Sequence, residues 1–274
     1  MDRLRDRVCL ITGSTGMAAA AAERCAAEGA AVFVVSRSAE HARDLADGLI
    51  AGGARAGWVA ADLSVEDEAE AAVAAAVERF GRIDGCFSVA GGSGRRFGDG
   101  PIDTLTMNGW DATIALNLRT QALVCRAVVR RMLGQAPNAS GTRGSILLMG
   151  SVTATDPVPQ FFATHAYAAA KGAIIALMTT MASTYAGDGI RVNVVAPSLT
   201  ATPMAVRAAG DPVIRAYARQ RQPLAGEMMD PTDVAHAAVY FLSDESRVVT
   251  GQVLDVDGGW SVVSVPWTVP EAGR

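Results

Sequence analysis

Short uninterrupted apolar runs alternate along the chain with longer stretches of helical period. "RVCLIT", "AVFVVS", "AGWVAA" and "IDGCFSVA" are followed in turn by helical patterns over 17–29, 39–51, 65–80 and 104–133. The second half continues with "GSILLMGS", a helix over 165–187, "IRVNVVAP", helical pieces between 204 and 243, and "GQVLDVDGG". Strands without polar alternation are buried on both faces, and a helix after each returns the chain for a parallel neighbour. The pattern therefore predicts an α/β fold, a single-domain Rossmann-type doubly wound parallel sheet with helices on both faces. Ser64, opening "SVED", predicts a capping-box helix start, and Asp230 before Pro231 predicts an N-cap with proline at the first helical position.

Composition narrows the function classes. A length of 274 residues suits one α/β domain over 1–274 with a tail from about 260, and no linker or internal repeat divides it. Half the residues are hydrophobic and 19% are charged, a globular composition. A net charge of −4 without a basic stripe argues against nucleic acid as a partner. Cys9, Cys25, Cys86 and Cys125 lack metal-ligand spacing and read as buried thiols of a reducing compartment. The first residues have no signal-peptide core, and the uncharged run over 172–187 is too short and too polar for a bilayer span. A cytoplasmic protein without a membrane partner is expected.

In doubly wound sheets ligands bind beyond the carboxyl ends of the strands. The long loops are 92–103, 153–164 and 198–224, and the second and third are the candidates for a substrate pocket. "TGSTGMAA" (12–19) closes the first strand and opens the first helix. Gly13 permits the tight turn, Gly16 lets backbone approach a pyrophosphate, and Ala19 is small enough for helix-on-sheet packing. The helix N-terminus then offers free N–H groups to the anion. Ser36 and Arg37 end the second strand where an NAD site commonly presents a carboxylate, which favours NADP(H), with NAD(H) possible. Asp62 has two readings, a hydrogen bond to an adenine edge or the start of the next turn.

Lys171 is the only lysine among 24 Lys and Arg positions. It lies four residues after Tyr167 in "YAAAK", so both side chains share one helix face. A phenol of pKa ~10 needs about 4 kcal/mol to titrate near 7, and an ammonium about 4 Å away at an effective dielectric of 20 supplies roughly that. A compact ammonium fits such a point where a broad guanidinium does not.

With "TGSTG", Asn117-Leu118, "GS" at 150–151, "YAAAK" and "VAPSLTATPM" in this order, the sequence resembles the short-chain dehydrogenase/reductase family from about residue 5 to 259. The resemblance implies hydride transfer between NADP(H) or NAD(H) and a carbonyl or secondary alcohol, in a homodimer or homotetramer. Tyr167 would be the acid/base, Lys171 would lower its pKa and hold the nicotinamide ribose, Ser151 would bind the substrate oxygen, and Asn117 would hold a relay water. Cofactor contacts would come from Gly13, Ser14, Thr15, Gly16 and Met17 at the pyrophosphate, with Ser36, Arg37, Asp62 and Leu63 toward the adenosine. Ala90 and Gly91 would follow along the cleft, and Pro197, Ser198, Thr200 and Thr202 would lie at the nicotinamide. No metal is implied.

Several positions depart from the family pattern. The glycine loop has the shorter TGxxGxx(G/A) form, Ser88-Val89-Ala90-Gly91 replaces "NNAG", and Ser198 replaces a common glycine. The interval from Ser151 to Tyr167 is about three residues long by family standards, which leaves Thr153 and Thr155 as alternatives for the serine. Two other readings stand: a non-catalytic nucleotide-binding scaffold, and an enoyl reductase or dehydratase. Arg207, Arg215 and Arg219 either meet an anionic substrate or form a solvated helix face. The apolar tail "WSVVSVPWTVPEAGR" is a candidate for packing on a neighbouring subunit.

Overall fold

The computed structural model describes residues 2–264. Its strands are β1 (Val8–Thr12), β2 (Ala31–Ser36), β3 (Ala56–Ala60), β4 (Gly85–Ser88), β5 (Gly144–Met149), β6 (Ile190–Pro197) and β7 (Val253–Val256). They form one sheet in the order β3-β2-β1-β4-β5-β6-β7. Every neighbouring pair is parallel. The strand order reverses between β1 and β4, which opens a crevice at their carboxyl ends.

The helices are α1 (Met17–Ala27), α2 (Ala39–Ala51), α3 (Glu66–Phe80), α4 (Met107–Ile114), α5 (Thr120–Gly134), α6 (Pro159–Phe162), α7 (His165–Tyr185), α8 (Val206–Gly210), α9 (Pro212–Arg221) and α10 (Pro231–Leu242). Adjacent strand residues point to opposite faces, so Leu10 joins a core built with α3, α5 and α7, while Cys9 and Ile11 join one built with α1, α2 and α10. The central strands β1, β2, β4, β5 and β6 are buried on both faces, which is why they show no polar alternation, while the edge strands β3 and β7 are partly or largely exposed. The four cysteines are buried and free. No helix among the described residues is long and apolar enough to cross a membrane.

Two local expectations change and one holds. The pattern over 104–133 is not one helix: a π turn at Ala115–Arg119 separates α4 from α5 and contains the buried Asn117. Such turns insert a residue and cluster at functional sites. Ser64 is not the N-cap of α3, because Val65 takes that place and the Ser64 hydroxyl bonds Asp62 instead. The carboxylate of Glu68 still reaches back, accepting from Asp62 N–H at 2.6 Å. Asp230 does cap α10, accepting from Thr232 N–H at 2.8 Å.

The tail expectation is changed at its first residue. Trp260 is buried within its own chain, its ring 6.2 Å from Phe162 and 5.8 Å from Tyr217. Residues 265–274 of that tail lie outside the described residues.

Candidate active site

A cavity of about 410 Å³ opens beyond the carboxyl ends of β1, β4, β5 and β6. An adjoining cleft of about 300 Å³ shares Gly13, Ser14, Thr15, Ala90 and Gly91 with it and continues past the end of β2. Together they span the switch point of the sheet. The cavity takes residues from all three long loops, since Ser93 and Arg95 line it beside Phe162, Thr164, Thr202 and Arg207. The first loop was not among the sequence candidates for this wall.

The glycine loop is built to admit an anion. Gly13 and Gly16 have φ of 98° and 56°, and a Cβ on Gly16 would come within 3.0 Å of Thr202 Cγ2. The N-terminus of α1 has no side-chain cap and no acidic residue in its first turn. Those open N–H groups suit a pyrophosphate. The small packing residue is Ala18, which is buried, and not Ala19, which is half-buried. The helix axis fixes this, because Ala18 lies on the Ala21, Ala22 and Cys25 face.

At the far end of the cleft the Ser14 and Ser36 hydroxyls lie 2.9 Å apart, and Arg37, Asp62 and Leu63 complete the lining. Asp62 Oδ1 accepts from Ser64 N at 2.9 Å and Ser64 Oγ at 2.6 Å, so the residue begins the turn. Those two bonds, and then the Arg37 charge, hold its carboxyl below the usual range against the opposing cost of burial. The Thr12 hydroxyl accepts from Val89 and Ala90 N–H, both at 2.9 Å, tying the segment after β4 to β1.

Ser151, Tyr167, Lys171 and Asn117 all reach the larger cavity. Ser151 follows β5 and accepts from Thr153 N and Oγ1 at 3.2 and 3.0 Å, which leaves its own proton to donate. Thr155 does not line the cavity, bonding the Val152 carbonyl and Asp156 instead. Lys171 is 2% exposed, and its ammonium lies 5.3 Å from the centre of the Tyr167 ring and donates to the Met149 carbonyl at 2.8 Å. Among the remaining residues expected at the nicotinamide, Pro197, Ser198, Thr200 and Thr202 all border the cavity. Ser198 Oγ lies 2.8 Å from Gln222 Oε1, so the hydroxyl in place of glycine pins the loop to buried Gln222.

The acidities of the Tyr167 and Lys171 pair differ from those that attraction between them would set. Burial pushes the Tyr167 phenol up to about 12, with the Ser151 hydroxyl pulling the other way, and burial brings Lys171 down to about 7. Desolvation outweighs the ammonium's attraction when both partners leave water together. The pair is thus a protonated phenol beside a lysine close to half protonation at neutral pH. Asn117 is committed through its side chain: Oδ1 accepts from Gly92 N at 3.2 Å, and Nδ2 donates to the Gly92 and Thr113 carbonyls, both at 2.9 Å. Its amide staples the loop after β4, and Oδ1 keeps a second lone pair.

Two residues escaped the sequence reading. Asp99 is buried and accepts from Ala166 N at 3.0 Å and Tyr167 N at 3.1 Å, capping α7 from a distant loop where Thr164 provides no side-chain cap. Gln121 donates to the Met149 carbonyl at 3.0 Å and accepts from Met149 N at 3.2 Å. A glutamine inside the apolar run of α5 was the signal for the second; nothing local marked the first.

A family model described as enoyl-(acyl carrier protein) reductase matches residues 11–261. The cis-4-hydroxycyclohexanecarboxylate dehydrogenase of Sinomonas cyclohexanicum is 34% identical over 258 residues, which cover 94% of this chain and 98% of that protein. The A-factor type gamma-butyrolactone 1'-reductase of Streptomyces virginiae is 35% identical, with coverage of 95% and 97%. A short-chain type dehydrogenase/reductase from Mycobacterium ulcerans superposes with a TM-score of 0.86 at 28% identity, over 95% of this chain and 91% of that one. The chain belongs to the short-chain dehydrogenase/reductase family. As a member, this dehydrogenase/reductase is an oxidoreductase with a nicotinamide dinucleotide, NAD(H) or NADP(H), as its cofactor. The open α1 N-terminus and the glycine cradle beside Thr202 fit that group.

Replacing Asp99 by Ala should lower the melting temperature of the dehydrogenase/reductase by about 2–4 °C, since a lost cap costs about 1 kcal/mol. Turnover should fall further than dinucleotide affinity, because the cap sets the first turn of α7 that carries Tyr167. Stability against pH tests the lysine. An unfolded lysine keeps its proton to its ordinary range, whereas folded Lys171 releases it at about 7. The unfolded state therefore binds more protons above pH ~7, and the melting temperature should rise from there toward pH ~10. Lys171→Arg cannot shed its charge. That variant should melt lower and lose the rise.

Proposed function

We propose that Tyr167 and Ser151, supported by Lys171 and Asn117, interconvert a ketone and a secondary alcohol on a small molecule, with NADP(H) preferred to NAD(H). The observation that carries the reading is the desolvated phenol beside the Ser151 hydroxyl, one helical turn before a buried lysine, in a cavity continuous with the glycine cradle. The bound dinucleotide supplies hydride to the carbonyl carbon, or takes it from the carbinol carbon.

In reduction the Tyr167 hydroxyl gives its proton to the substrate oxygen as negative charge develops there. Ser151, whose Oγ already accepts from Thr153, donates its hydrogen to the same oxygen. The phenolate left behind is reprotonated from Lys171, whose pKa of about 7 lets it release and regain a proton at neutral pH. Asn117 holds Gly92, and through it the cavity wall after β4. In oxidation the same groups work in reverse. The raised phenol pKa keeps Tyr167 protonated near neutrality, the form that donates in reduction.

Preference for NADP(H) is supported by Ser36 and Arg37 at the rim of the second cleft, where a guanidinium can pair with a 2′-phosphate. A homodimer or homotetramer and a cytoplasmic setting belong to the same reading. They are supported by the family resemblance and by the four free thiols. Enoyl reduction is the second reading, favoured by the description of the matching family model. Ser151 beside the phenol favours a carbonyl oxygen as the proton acceptor.

Tyr167→Phe keeps the ring and removes only the proton donor. Turnover should drop at least about a hundredfold with dinucleotide affinity retained, read by nicotinamide absorbance on a panel of ketones, alcohols and enoyl thioesters. Activity on the thioesters alone would establish the second reading. Arg37→Ala should weaken NADP(H) more than NAD(H) in a binding titration; equal losses would defeat the cofactor assignment.

A further inference from the structure

Two guanidinium groups converge at the mouth of the larger cavity. Arg95, from the loop after β4, donates to the Phe161 carbonyl at 3.0 Å, and Arg207, from α8, donates to the same carbonyl at 2.9 Å. Both line the cavity that contains Tyr167 and Ser151. Among the described residues neither has a carboxylate within ion-pairing distance. Asp99 is the nearby acid, but both its oxygens accept from backbone N–H groups of α7. Burial and the Arg207 charge both press Arg95 toward its neutral form, so the two cations sense each other.

The other arginines of this segment have partners. Arg215 and Arg219 pair with Glu227, and Arg221 lies 3.7 Å from Asp156. The wall around the pair is aromatic: Arg207 lies over the Phe162 ring at 5.7 Å, and Phe162 packs on Trp260. Trp260 lines the same cavity, and its buried Nε1 has no acceptor among the described residues. Two converging cations with no carboxylate partner, beside a wall of rings and an unpaired indole N–H, form a receptor for an oxyanion on an otherwise apolar molecule.

We propose that Arg95 and Arg207 bind an anionic oxygen group, a carboxylate or a phosphate, carried by the substrate whose carbonyl meets Tyr167. This rests on the oxidoreductase reading above and adds the substrate class. The sequence had left Arg207 between a substrate contact and a solvated face; it is exposed and also borders the cavity, and the proposal takes the first.

Matched pairs test it: 4-oxocyclohexanecarboxylate against its carboxamide, and dihydroxyacetone phosphate against dihydroxyacetone. In the wild-type enzyme kcat/KM should favour the anion at least about tenfold in one pair, which also tells carboxylate from phosphate, since two charge-assisted bonds exceed that factor. Arg95→Gln and Arg207→Gln should each lower the ratio, mainly through KM, and the double variant should bring it toward one. Arg215→Gln, whose charge faces Glu227, should leave the ratio unchanged. Calorimetric titration of both anions reads the receptor without turnover. Binding abolished in the double variant but with no activity on any member would uphold the receptor while defeating the oxidoreductase reading. Ratios near one in both pairs without anion binding, or ratios insensitive to both arginines, would overturn the receptor and leave that reading standing.

Discussion

The Met149 backbone is the joint on which the site depends. Its carbonyl accepts from Lys171 Nζ at 2.8 Å and Gln121 Nε2 at 3.0 Å, and its N–H donates to Gln121 Oε1. The backbone of one residue at the carboxyl end of β5 thereby fixes α5 and α7 against the sheet. Two residues later the chain reaches Ser151, so strand, lysine and serine are set by the same short stretch of backbone. A surface joint of this kind would compete with water. Here Gln121 and Lys171 are both buried, and each bond left unmade would cost the full desolvation of its group.

Burial also governs the electrostatics. A lysine enclosed by the apolar face of α7 and the end of β5 cannot keep its charge as it would in water, and an adjoining phenol cannot become an anion. The phenol is held neutral and the lysine is brought close to half protonation at neutral pH, so one donates a proton and the other can release and regain one. The lone lysine of an arginine-rich chain is explained by this: a guanidinium at the same place would carry a permanent buried charge. Geometry alone, with two side chains four residues apart, had suggested that attraction between them would set the phenol's pKa. The desolvation of both is the larger effect.

Periodicity was enough to read the sheet, because strands buried on two faces leave continuous apolar runs and the helices between them keep their own period. β2, β6 and α2 fall on their expected ranges without a shift. The helix over 104–133 was misread as unbroken, since the π turn at Ala115–Arg119 contains no proline or glycine to mark the inserted residue. Tyr167, Lys171 and Ser151 were legible as residues of one short segment of chain. Asp99 was not, because its partners are backbone N–H groups 67 and 68 residues away, and a backbone donor leaves no trace in residue type. Phenol and lysine acidities were likewise out of reach, as they depend on burial that no local spacing reports.

The loop after β4 joins substrate recognition to the placement of the catalytic helix. Glycines on both sides let it lie close on α4: a Cβ on loop Gly94 would collide with Thr113 at 1.6 Å, and one on Gly109 of α4 with the Gly98 carbonyl carbon at 2.3 Å. Only at that depth can Asp99 reach the first turn of α7. The same descent leaves Arg95 on the cavity wall and spends the negative charge of Asp99 on Tyr167's own N–H. Had Asp99 paired with Arg95 instead, α7 would have lost its cap and the cavity would have lost a cation. The helix cap and the positive cavity mouth are therefore two consequences of one choice of partner, and a change that disturbs the loop's seat on α4 should disturb both together.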